Sequence, residues 1–121
     1  MEYQFAFEKL NVWQNSRELI LDIYKITNTF PKEERYCLTD QLRRAVISVA
    51  SNLAEGSSRT SSKDQAHFTN LAYSSLMEVL NQLYISTDLN YISHEIFTEL
   101  KIKISSIANQ LNALRNSQLN K

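Results

Sequence analysis

His67, His94 and Cys37 are the side chains of this chain best suited to ligate a metal or attack a substrate, so they set the first question. A metal centre needs three or four ligands brought together, and a nucleophile needs an oriented base beside it. The two histidines fall in different helical segments, near opposite ends of the third, and neither belongs to an HExxH pair. His67 reads as a polar first-turn residue of the third helix and His94 as a residue near the start of the fourth. A lone cysteine cannot form a thiolate cluster or an internal disulfide, and it suits a reducing compartment. Gly56 is the single glycine, which leaves no phosphate-cradling loop of the Walker or dinucleotide type. Glu33 and Glu34 read as a solvated turn, and the other carboxylates as helix-surface charge. The expectation is a protein with no catalytic residue, no metal, no cofactor and no enzymatic activity.

The run SVASNLAEGSSR, starting at Ser48, is unusual in another way. At 100° per residue, Gln41, Arg44, Ser48, Asn52, Glu55 and Arg59 share one polar line, and that line borders the apolar seam of its helix. It is either a solvated face or a structural polar network, in which Arg44 or Arg59 pairs with Glu55 or Glu78 while Ser48 and Asn52 satisfy the remaining donors. The second reading is adopted here: the line fixes helix packing or subunit register.

Helices must position these residues. One glycine and one proline in 121 residues leave too little turn chemistry for an all-β fold, whereas helices joined by short connections need little. Asn11 can cap a first helix carrying Val12, Trp13, Leu19, Ile20, Ile23, Tyr24 and Phe30, which Pro31 ends. After the charged connection KEERY, a second helix starts at Thr39 or a few residues earlier. Its seam is Leu42, Val46, Val49 and Leu53, and Gly56 with the serines after it supplies a stop. The box SKDQ at Ser62 opens the third helix, with Phe68, Ala72, Leu76, Val79 and Leu83 as its seam. That seam fades at Ser86 and Thr87, and Asn90 suits a left-handed helix terminus. Ser93 caps a fourth helix with Phe97, Leu100, Ile104, Ile107, Leu111 and Leu114 at alternating spacings of three and four. The fold class is all-α, an antiparallel up-down-up-down four-helix bundle, in one domain over residues 1–121 with an N-terminal arm at 1–10 and a frayed tail at 116–121.

Thirteen basic and thirteen acidic residues cancel, so bulk charge gives no support to a general binder of nucleic acid or anionic membrane. The signs are nevertheless segregated. Residues 64–99 hold five acids and no base, and the chain from Lys101 holds four bases and no acid, an arrangement that is either incidental to helix faces or able to steer assembly. No run approaches membrane-spanning length and the N-terminus lacks a secretory pattern, so the reading is cytoplasmic with no membrane partner. Tyr73, Met77, Leu80 and Tyr84 form a second apolar stripe on the third helix. That stripe has interface composition and points to a homo-oligomer.

The run QLRRAVISVASNLAEGSSR from Gln41, FTNLAYSSLMEVLNQLYIS from Phe68, LNYI from Leu89 and FEKLNVWQ from Phe7 together resemble the four-helix-bundle family of proteins encoded in intervening sequences of bacterial 23S ribosomal RNA genes. SNLAEG with its following arginine, residues 51–59, is the most specific element. The resemblance implies a compact antiparallel bundle, a ring of five subunits and no known enzymatic activity. Proteins of similar shape serve beside the reverse transcriptases of diversity-generating retroelements and contact nucleic acid through a basic ring surface. This chain departs from them in its neutrality, and it carries Ser74 where the family pattern usually has glycine.

Two function classes follow. The first is an oligomeric accessory factor for RNA or a ribonucleoprotein, with Arg43, Arg59 and Lys63 as backbone contacts and with repetition in a ring raising avidity. The second is an oligomeric scaffold whose partner is another protein.

Overall fold

The computed structural model describes residues 2–121. It contains four α-helices, α1 (Asn11–Thr27), α2 (Leu38–Ser57), α3 (Ser62–Asp88) and α4 (His94–Leu119), with short 3-10 turns at Ala6–Lys9 and Lys32–Glu34. No strand occurs among the described residues.

Side-chain pairings between helices give the topology directly. From the end of α2 to its start, Gly56 lies against Phe68, Ser48 meets Ser75 and Gln41 meets Gln82, so α2 and α3 run antiparallel. Lys101 meets Tyr84, Arg115 meets Asn70 and Gln118 meets Thr69, which sets α4 antiparallel to α3. Asp22 with Lys103 and Asn15 with Gln110 repeat the pattern for α1 and α4. Opposed directions at these three seams leave α1 antiparallel to α2 as well. The bundle is therefore up-down-up-down.

Most of the expected seam residues form one core, although Phe68 and Tyr24 lie outside it and Leu114 is only partly buried. Leu42, Val46, Val49 and Leu53 of α2 face Ala72, Leu76, Val79 and Leu83 of α3, joined by Val12, Leu19 and Ile23 of α1 and by Phe97, Leu100, Ile104, Ile107 and Leu111 of α4. Each fully buried leucine or isoleucine contributes about 1.5–3 kcal/mol, enough in sum to offset much of the chain entropy lost on folding.

The helix ends differ from expectation in physically readable ways. Asn11 is the first helical residue, and Leu10 occupies the cap position without a side-chain bond. The first helix stops at Thr27, short of Pro31, where the Thr27 hydroxyl donates to the carbonyls of Ile23 and Tyr24. Phe30 is still buried, its ring 5.2 Å from that of Tyr91. Ser61, one residue before the expected serine, caps α3 by accepting the Asp64 N–H at 3.0 Å. The Gln65 side chain reaches back instead to the Arg59 carbonyl.

α2 ends at Ser57, so the stop falls where Gly56 and the serines after it were expected to put it, although the glycine is not in the left-handed conformation. It lies inside the last turn of α2 at negative φ, where its missing side chain admits Phe68. The α3 seam also persists past its expected fading point, since Ser86 is fully buried and donates to the Gln82 carbonyl at 2.8 Å. Asn90 does adopt the left-handed conformation, with φ of 63°. The Tyr91 N–H then bonds the Ser86 carbonyl and the Asn90 N–H that of Thr87, the paired closure of a Schellman terminus. Ser93 caps α4 as expected, accepting from the Ile96 N–H. The tail is no frayed end: α4 continues to Leu119, and buried Gln118 accepts the Thr69 hydroxyl at 2.7 Å. The N-terminal arm carries one 3-10 turn, and Phe7 packs edge-on against Trp13 at 4.9 Å.

Candidate functional site

The polar line of α2 lies along its seam with α3 and divides into separate groups. Ser48 Oγ is 2.9 Å from Ser75 Oγ, and Asn52 Nδ2 donates both to the Ser48 carbonyl at 2.9 Å and to its hydroxyl at 3.0 Å. Nearer the start of α2, Gln82 Nε2 contacts Gln41 Oε1 and Glu78 Oε2, each at 3.4 Å. Gln82 is 5% exposed, and its Oε1 is buried without a partner among the described residues. Glu55 and Arg59 form an exposed pair at 3.8 Å, and Arg59 also stands over the Phe68 ring. Arg44 is exposed and makes no ion pair among the described residues. The single network expected from Gln41, Arg44, Ser48, Asn52, Glu55, Arg59 and Glu78 is thus two hydrogen-bonded clusters, one solvated pair and one solvated arginine. Helical spacing aligns these residues, but it does not say how deep α3 covers each of them.

The three cations expected to contact nucleic acid do not share a patch. Arg43 lies near the start of α2 and Arg59 just beyond its end, so about 24 Å of helix rise separates them. Lys63 is exposed beside Arg59's end, in the first turn of α3. Arg43 belongs to the opposite end of the bundle. Its Nε donates to Thr27 Oγ1 at 2.9 Å, its Nη2 to Asn28 Oδ1 at 3.1 Å, and its guanidinium lies 4.4 Å from the Tyr24 ring centre. All three partners are uncharged, so the positive charge is held in place and not neutralised.

Around Arg43, the α1–α2 connection and the start of α2 border an open groove of about 540 Å³. Lys32, Arg35 and Tyr36 line it with Arg43, and no carboxylate does. Sequence reasoning passed over these three residues because KEERY reads as a solvated connection. Its arginine–tyrosine pair was the available signal. The neighbouring Glu34 is engaged elsewhere, accepting the Leu38 N–H with Oε1 and the Tyr91 hydroxyl with Oε2 at 2.8 Å. That bond, followed by burial and the charges of Glu34 and Glu33, pushes the Tyr91 pKa above its ordinary value.

The second apolar stripe packs in part against the core of its own chain. Tyr73, Met77 and Leu80 are half-buried against the core. Tyr84 is 43% exposed, but its ring lies 4.6 Å from Phe97 and its hydroxyl accepts from Lys101 at 2.8 Å. Tyr84 thus links α3 to α4 within the chain, while the stripe as a whole stays partly exposed. More apolar surface is open at Leu21 of α1 and Ile102 of α4, which are 70% and 66% exposed.

His67 and His94 are exposed on different helices, the His67 ring edge-on to Phe68 and the His94 ring stacked near Phe97. Among the described residues, no three His, Cys, Asp or Glu side chains gather closely enough to hold a metal. No helix among them is long and apolar enough to cross a membrane.

Comparison with known proteins adds a family. The family model described as 23S rRNA-intervening sequence protein matches residues 8–113. Among solved structures, the chain is similar to a protein of unknown function from the S23 ribosomal protein family of Bacteroides thetaiotaomicron. The TM-score is 0.79 at 20% identity, covering 86% of this chain and 97% of that one. No curated protein matches it.

Proposed function

The chain belongs to the 23S rRNA-intervening sequence protein family, and on that premise we propose that it is a non-enzymatic, cytoplasmic accessory factor that assembles with itself and binds RNA or a ribonucleoprotein. The observation that carries this reading is the groove at the α1–α2 connection, where Lys32, Arg35 and Arg43 are among the lining residues and no carboxylate is. A neutral chain can bind polyanions when its cations are concentrated in this way, because affinity follows the phosphates neutralised locally. Repetition in a ring of about five subunits, the number the family resemblance implies, would multiply a modest patch. Arg59 and Lys63 then supply a second, weaker contact at the far end of α2.

The test is solution mass by light scattering at low and high salt, before and after addition of total bacterial RNA. An oligomer that gains mass with RNA at low salt and loses it at high salt supports the proposal. A mass unchanged by RNA at low salt refutes the RNA reading, and a monomer refutes assembly. The alternative is an oligomeric protein-binding scaffold, favoured by exposed Leu21 and Ile102, which flank the Asp22–Lys103 bridge in sequence. A specific protein retained from nuclease-treated lysate, together with no response to RNA, would support it.

A further inference from the structure

We propose that the groove at the α1–α2 connection takes one nucleotide of single-stranded RNA, its phosphate against Arg43, Lys32 and Arg35 and its base stacked on Tyr36. The inference rests on the RNA reading above and gives that reading a ligand conformation and a site.

Arg43 is the anchor. A guanidinium has five N–H donors in a planar fork, and its bonds to Thr27 and Asn28 occupy only part of that fork. Those two bonds and the Tyr24 ring fix its orientation before any ligand arrives. A half-buried, oriented cation with uncharged partners still lacks an anion, and planar bidentate recognition of phosphate is what arginine provides well. Lys32 and Arg35 add charge from the other wall of the groove, and neither makes an ion pair among the described residues.

Tyr36 decides between single strand and duplex. It is 82% exposed, the most open large apolar side chain of the described residues, and it sits on the groove wall beside the cations. Arg35 stands over its ring at 5.5 Å, a geometry that leaves ring surface open to solvent. An exposed aromatic next to cations offers its face to an unpaired base, whereas bases inside a continuous duplex are already stacked and cannot use it. The open groove of about 540 Å³ leaves room for one nucleotide unit along its lining residues. The acids of the same region, Glu33, Glu34 and Asp40, are absent from the lining, and Glu34 is turned to Tyr91 and the start of α2.

The experiment is fluorescence anisotropy of the full chain with a labelled single-stranded oligouridine and with a duplex RNA of equal length, across a salt series. Wild-type protein is expected to prefer the single strand. Tyr36→Ala should weaken single-strand binding about tenfold or more, with Tyr36→Phe restoring it. Lys32→Ala and Arg35→Ala should weaken it and flatten the dependence of log K on log salt by about 0.7 for each phosphate no longer neutralised. These side chains are exposed, so the variants keep the fold, which circular dichroism checks. Lys63→Ala, at the far end of α2, serves as the comparison and should change binding less than any of them. Wild-type binding that Tyr36→Ala and Arg35→Ala leave intact overturns this site while the RNA reading stands. Duplex preferred over single strand overturns the stacking geometry. No wild-type binding at low salt overturns the RNA reading and the site together.

Discussion

Gly56 packs its bare Cα against α3, and a Cβ built there would lie 2.6 Å from the Phe68 Cβ. That neighbour is fixed to the backbone, so the helices themselves must separate to admit it. Gly56→Ala gains about 1 kcal/mol in helix propensity and loses about 1–3 kcal/mol to overpacking, and with backbone on both sides the loss should prevail. We expect a thermal midpoint several degrees lower. Phe68→Ala in the same chain should not rescue it, because the obstructing Cβ remains; rescue by that change would disprove the packing account. Asn90 is the converse case, with φ of 63°. Asn90→Ala should cost about 1 kcal/mol in denaturant melts, whereas Asn90→Gly should be close to neutral. Asn90 was legible because asparagine before a new cap is a local signal. Gly56 with the serines after it was legible as the end of α2, which stops at Ser57, but its packing role was not, because a glycine followed by serines looks the same whether or not it also admits a neighbour. Only the position of Phe68 on another helix separates the two.

Helix seams were readable from spacing, and helix ends less so, for a related reason. Apolar residues repeated at three and four must face a core wherever their neighbours lie, so Leu42 to Leu53 and Phe97 to Leu111 could be assigned from the chain alone. A cap depends on which of two adjacent serines holds an extended backbone. Both Ser61 and Ser62 precede a polar residue at the third position, and Ser61 takes the role, its side chain accepting from Asp64. Ser61→Ala should therefore lower stability by about 1 kcal/mol, and Ser62→Ala by clearly less. Equal losses in urea titration would place the cap elsewhere. The continuation of α4 to Leu119 escaped sequence reading for the same reason as the groove did: Gln118 and Tyr36 gain meaning from partners or surroundings distant in the chain.

At the scale of the whole bundle, two of the bonds that join its earlier half to its later half have donors that titrate at alkaline pH. The Tyr91 hydroxyl, in the α3–α4 connection, donates to Glu34 in the α1–α2 connection at 2.8 Å, and Lys103 of α4 donates to Asp22 of α1 at 2.7 Å. The bond to Glu34 is the main cause that raises the Tyr91 pKa above 10.0, and the bond to Asp22 is the main cause that raises that of Lys103 above 10.5, against a smaller opposing effect of burial. Both groups thus keep their protons longer in the folded chain than in the unfolded one. Where pH passes the unfolded values, the unfolded state binds fewer protons and stability falls as pH rises; below those values the contribution is fully present. The thermal midpoint should hence show no loss from these bonds between neutral pH and about pH 9, and a progressive loss above about pH 10. Tyr91→Phe removes one titrating donor and Lys103→Met the other, so the double variant should start from a lower midpoint at pH 7 and decline less steeply above pH 10. A decline as steep as that of the wild type would mean that these two bonds do not govern how the bundle closes at alkaline pH.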